Sequence, residues 1–160
     1  MVCVDKSSSK TTSTPLFLTT FGEHSRETGL EVASRYARRG LVCRSTERLR
    51  SEVVDALQDP GAQILLSVAS WWELAIKHAL GRLEGSLPPE QLRAWWLSYP
   101  TVRELAIEAA HVWTATFYPL HHRDPFDRML MAQAQMEGAT LITSDDMLRS
   151  YAVPMLWACK

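Results

Sequence analysis

Along this chain, apolar residues either recur at helical spacing or bunch into short solid runs, and the two textures alternate from about Thr46 onward. In ERLRSEVVDALQD, Leu49, Val53 and Leu57 share one helical face, and Asp59-Pro60-Gly61 ends the helix with turn residues. QILLS then reads as a short buried strand. SWWELAIKHALGRL follows as a helix from near Ser70 to around Gly81. Pro88-Pro89 opens a further helix through QLRAWWL, and TVREL is a strand feeding the helix EAAHVWTAT. DPFDRMLMAQAQMEG carries a full set of helix signals: Asp124 as N-cap, Pro125 at the first position and Gly138 past the end. ATLIT is the next strand, Asp145 and Asp146 open a short helix DDMLRSY, and VPMLW closes as a strand. Strands alternating with helices predict parallel βαβ units, hence a three-layer α/β/α domain with a mainly parallel sheet.

The front of the chain has a different texture. Residues 6–14, KSSSKTTST, offer no apolar partner for a core, and GEHSRETGLEVASRYARRG shows few large apolar groups and no clean strand. The expected organisation is therefore a poorly ordered or atypical segment over residues 1–45 and one domain over 46–160. With 160 residues and 46% hydrophobic content, there is room for one such domain and not for two.

Charge and cysteine content narrow the class. The net charge of −1 conceals a split, because thirteen of the eighteen acidic residues but only eight of the seventeen Lys and Arg fall in residues 51–160. An acidic domain is a poor default binder of nucleic acid, whose affinity comes largely from Lys and Arg contacts to phosphate. A bound divalent cation reverses that sign locally, and Arg82, Arg123 and Arg128 are the candidate cations beside it. Cys3, Cys43 and Cys159 are odd in number and lack metal-ligand spacing, which points to neither a disulfide framework nor a zinc site and fits a reducing cytosol. No apolar run approaches the roughly 20 residues that cross a bilayer, and Pro15 to Phe21 is too short for a signal segment, so neither membrane nor secretion is expected.

Four acidic residues sit at strand-to-helix junctions or on first helical turns: Glu73, Asp124, Asp127 and Asp145. In an open parallel sheet the carboxyl ends of the strands converge on one edge, where ligands bind. Clustered carboxylates repel, and Mg²⁺ or Mn²⁺ offsets this with hard-oxygen coordination that leaves waters free for a phosphate substrate. Each residue also has a plainer role: Asp124 as an N-cap, Asp127 as a first-turn charge, Asp145 as the cap of a short helix, and Glu73 paired with Lys77 four residues on. The adjacent His121 and His122 point apart and belong to a loop. The six tryptophans include the pairs Trp71-Trp72 and Trp95-Trp96, which read as core and interface residues rather than base-stacking platforms.

SVASWWELAIKHALGRL, HHRDPFDRMLMAQAQMEG, ATLITSDDML and VPMLW, in this order and spacing, resemble the PIN-domain ribonucleases of the VapC toxin kind from type II toxin-antitoxin systems, over about residues 46–157. The resemblance implies a Mg²⁺- or Mn²⁺-dependent endoribonuclease acting on RNA in the cytoplasm, commonly a homodimer and silenced by a cognate antitoxin. Carried over motif by motif, the metal ligands are Glu73, Asp127 and Asp145, with Asp124 in a supporting catalytic role and Ser144 or Thr143 beside the metal. The alternative is a catalytically inactive PIN domain that serves as an antitoxin-binding or dimerisation module.

One element of the family pattern is missing. The family opens with an apolar strand ending in a metal-binding Asp, where this chain has ASRYARRGLV. Asp5 is the nearest upstream Asp, and at 68 residues before Glu73 it lies too far away. The stretch Ser34 to Val42 can be encoded so that a one-base shift reads Leu-Asp-Thr-His-Ala-Val-Val-Trp, the missing motif in the expected place. A frame slip upstream of about Thr46 is the expectation that follows.

Overall fold

A computed structural model describes residues 16–18, 50–59, 61–82 and 88–158. Its strands are β1 (Leu16–Leu18), β2 (Ile64–Ser67), β3 (Val102–Leu105), β4 (Thr140–Thr143) and β5 (Met155–Trp157). Its α-helices are α1 (Ser51–Gln58), α2 (Val68–Ala79), α3 (Pro89–Leu97), α4 (Ala109–Phe117) and α5 (Pro125–Met136), and a 3₁₀ turn spans Asp146–Ser150. The five strands form one sheet in the order β3-β2-β1-β4-β5, with every pairing parallel.

The α/β class and the parallel sheet expected from the alternation are the ones observed. All four residues of β2 are buried, as are Leu141, Ile142 and Thr143 of β4, so both faces of the central sheet are covered. That double burial explains why ILLS and TLIT read as solid runs rather than alternating ones. The fully buried side chains Ile64, Leu66, Leu141 and Ile142 come from the sheet, Leu130 and Met131 from α5, and Trp96 from α3.

Helix ends follow the sequence signals. Asp124 caps α5, its side chain accepting from the Phe126 amide, and Pro125 occupies the first turn. At the other end Gly138 adopts φ of 65° and lets Ala139 N–H return to Ala134 O at 2.7 Å, a closure that a Cβ at that position would strain. Helix α2 starts earlier than expected, with Ser67 rather than Ser70 at its head, because the Ser67 hydroxyl accepts from Ala69 N–H.

The larger difference lies at the front. Residues 1–45 are expected to be poorly ordered or atypical, with no clean strand in GEHSRETGLEVASRYARRG; ahead of that stretch, Leu16–Leu18 is the central strand, paired with β2 on one side and β4 on the other. Three apolar residues between Pro15 and Thr19 carry too little periodicity to identify a strand locally; its place comes from pairing with two strands far along the chain. The other residues of that segment, and those with Cys3, Asp5 and the stretch Ser34 to Val42, lie outside the described residues.

Candidate active site

The strand order reverses between β1 and β4: the chain proceeds from β1 outward through β2 to β3, then returns to the other side of β1. In open α/β sheets such a switch point opens a crevice at the carboxyl ends of the strands. The loop after β4 enters that region with Asp145, and the chain ahead of α5 with the first turn of that helix brings His122, Asp124 and Asp127 to meet it.

Each acidic side chain there is oriented by the helix end on which it sits. Asp145 N–H donates to Thr143 Oγ1 at 3.1 Å, and Asp145 Oδ1 accepts from Met147 N–H at 2.8 Å, which caps the 3₁₀ turn. Its second oxygen, Oδ2, lies 3.6 Å from His122 Nε2. Asp124 likewise uses Oδ1 to accept from Phe126 N–H at 2.8 Å. Asp127, one turn on, is buried and shares a 2.7 Å hydrogen bond between its Oδ2 and His122 Nε2. Capping and site chemistry therefore coexist, since a cap occupies one carboxylate oxygen and leaves the other.

Among the described residues, donor atoms of His122, Asp124 and Asp127 all lie within 4.8 Å of one another. Burial is the main force raising the Asp127 carboxyl from 3.8 to about 6; the hydrogen bond from His122 opposes it, and the charges of Asp124 and Asp145 push it further up. A divalent cation would relieve both costs, replacing lost hydration with direct coordination and cancelling the repulsion among the carboxylates. The donor set therefore fits such an ion.

Glu73 is not among the three residues of the 4.8 Å group. It lies on α2, mostly buried, and forms a close ion pair with Lys77, the plain pairing that its i, i+4 spacing suggests. The helix that carries it is tied to α5 through a buried bridge: Ser67 Oγ donates to Gln133 Oε1 at 2.6 Å, and Gln133 Nε2 donates to Ala106 O at 3.0 Å. These bonds lock the start of α2, the end of β3 and the middle of α5 together.

Two sequence expectations are corrected here. His122 is a member of the acidic group rather than a plain loop residue; the overlooked signal is the spacing His-X-Asp-Pro-X-Asp, which wraps three ionisable side chains around one helix start. Arg128 is not an available cation for RNA, because it is only 8% exposed and its guanidinium is committed to backbone carbonyls, whereas Arg82 and Arg123 are exposed. The tryptophans divide: Trp71 and Trp96 are core residues, while Trp72 is 59% exposed and meets Phe126 edge to face, with ring centroids 5.1 Å apart.

The PIN domain family model matches residues 40–154. The chain belongs to the PIN-domain family, whose members are generally metal-dependent nucleases that act on RNA or other nucleic acids. Searches among curated proteins and among solved structures find no match.

Proposed function

We propose that this chain is a Mg²⁺- or Mn²⁺-dependent endoribonuclease of the VapC toxin type, with Asp127, Asp145 and Glu73 as metal ligands and Asp124 in support. The observation that carries the proposal is the convergence of Asp124, Asp127, Asp145 and His122 at the carboxyl end of β4, beside the central strand. When bound there, the cation would neutralise charge developing on a phosphodiester and lower the pKa of a coordinated water. Asp127 would hold it directly, having lost the hydration that otherwise stabilises its charge. Asp145 Oδ2 and the Asp124 oxygen not engaged in capping would close around it. His122, hydrogen-bonded to Asp127, would fix the orientation of that carboxylate. Exposed Arg82 and Arg123 are the side chains suited to the RNA backbone.

Partners of protein type are part of the proposal: a cognate antitoxin and a second copy of the chain, acting in the cytoplasm. Supporting this, Val68, Trp72, Ile76 and Leu80 repeat every fourth residue as an exposed apolar stripe along α2, and Trp113, Phe117 and Leu120 stand exposed on and after α4. No helix among the described residues is long and apolar enough to cross a membrane.

A specific observation favours a second reading, in which the domain is inactive and works by binding antitoxin or its own copy. The residues after Leu18 in the sequence are Thr19 and Thr20, and no carboxylate follows until Glu23. Strand β1 thus ends without the Asp that the family places there. The frame slip is proposed on a separate ground: the family match begins only at residue 40, so most of the stretch Ser34 to Val42 lies ahead of it. A Mn²⁺ titration of the full chain separates the readings. Saturable binding that is lost in Asp127→Asn and weakened in Asp145→Asn supports the nuclease, whereas unaltered binding in both variants rejects the assigned ligands. Sequencing the gene tests the frame slip, which fails if no alternative frame near codons 34–42 encodes an Asp-bearing apolar strand.

A further inference from the structure

The charged side chain next to Asp127, that of Arg128, is buried, and the acceptors it meets are backbone carbonyls. From Arg128, Nη2 donates to the carbonyls of Ala115 at 2.8 Å, Tyr118 at 2.7 Å and Thr116 at 3.4 Å. The other nitrogen, Nη1, donates to Pro119 O at 2.9 Å and His122 O at 3.3 Å. The first three carbonyls belong to the last turn and C-cap of α4, where helix geometry leaves acceptors without intrahelical donors and concentrates negative potential. The other two belong to the loop that carries the chain to His122 and Asp124.

A second side chain, at the end of the 3₁₀ turn, holds the same loop. Tyr151 Oη donates to Pro119 O at 2.7 Å and accepts from His122 N–H at 2.8 Å. Pro119 O is therefore shared by both clasps, and His122 is gripped through its amide by one and its carbonyl by the other. With the backbone held on both sides, the imidazole of His122 is delivered to Asp127 at 2.7 Å and to Asp145 at 3.6 Å.

We infer that Arg128 and Tyr151 are positioning residues that clasp the 118–124 loop and so set the geometry of His122 and Asp124 at the acidic site. This rests on the proposed metal-dependent function but assigns to Arg128 no contact with RNA or metal. The planar fork of a guanidinium reaches both ends of the carbonyl array, and a lysine ammonium, a single point, does not. Charge retention at position 128 is therefore not enough.

The test uses the full chain with Arg128→Lys and the milder Tyr151→Phe, which removes one hydroxyl from a ring that otherwise keeps its packing. Three quantities are read: hydrogen exchange of the 118–124 loop, Mn²⁺ affinity by titration, and the split between kcat and KM for RNA. Expected are faster exchange in that loop with protection of β2 and β4 unchanged, Mn²⁺ affinity weakened by about tenfold to a hundredfold, and a fall in kcat with KM unmoved. Unchanged loop exchange and unchanged Mn²⁺ affinity in both variants would overturn the inference. So would a rise in KM alone in Arg128→Lys, since that result would make Arg128 a phosphate contact. Should the unaltered chain show no metal-dependent cleavage, the nuclease proposal falls, while loop exchange still decides whether the clasp exists.

Discussion

Replacing Asp127 with Asn should stabilise the metal-free protein while destroying its site, and the pH dependence of that gain is computable. Burial raises the carboxyl from 3.8 to about 6, so the folded chain binds this proton more tightly than the unfolded chain does. Stability from this group is fully present below about pH 4 and is lost as pH rises through about 6. Moving a carboxyl between those values corresponds to about 3 kcal/mol above pH 7, a difference that falls away as the pH is lowered toward 4. Asparagine carries no charge to desolvate, and its amide can keep a hydrogen bond with His122 Nε2. Asp127→Asn should therefore melt about 10 °C higher than the unaltered chain at pH 7.5 in EDTA, taking about 4 °C per kcal/mol for a domain of this size. The gap should shrink to a small fraction of that as the pH is lowered to 4. Scanning calorimetry at several pH values measures it. A lower melting temperature at pH 7.5, or a gain that does not change with pH, would refute the assignment of a strained, buried carboxylate.

Other consequences follow from the same geometry. Gln133→Leu removes one buried and one part-buried hydrogen bond, leaving the Ser67 O–H without its acceptor and the Ala106 carbonyl without this donor, so chemical denaturation should show a loss of about 2 kcal/mol. Glu73→Gln breaks only a helical ion pair with Lys77 and should cost no more than about 0.5 kcal/mol in stability, yet as the loss of a proposed ligand it should weaken Mn²⁺ binding in titration, and unchanged affinity would remove Glu73 from the ligand set. Arg123→Glu should raise KM for RNA and flatten its salt dependence without altering the melting temperature, because Arg123 is exposed. Gly138→Ala should destabilise the domain by about 1 kcal/mol, because the residue sits at φ of 65°.

Where the sequence carried local signals, the architecture was readable from it. Asp124, Pro125 and Gly138 marked both ends of α5, and solid apolar runs marked β2 and β4, because caps and double-sided burial leave imprints over a few adjacent residues. Leu16–Leu18 left none: its place comes from parallel pairing with β2 and β4, in register with Ile64 and Thr140, and three residues cannot encode that distance. Within the candidate site, Asp124, Asp127 and Asp145 were recognisable from their positions at helix starts. The part of His122 was hidden because it depends on how the 118–124 loop turns. Arg128 misled for the same reason, since an arginine beside an acidic residue suggests a surface cation until its carbonyl partners are seen.

The account rests most directly on whether the full chain cleaves RNA when a divalent ion is present. A structured RNA incubated with purified protein in Mg²⁺ or Mn²⁺, in EDTA, and with Asp127→Asn provides the measurement. Cleavage that requires the metal and disappears in Asp127→Asn is the predicted result. No cleavage under any metal condition, or cleavage that persists in EDTA or in the variant, would contradict it.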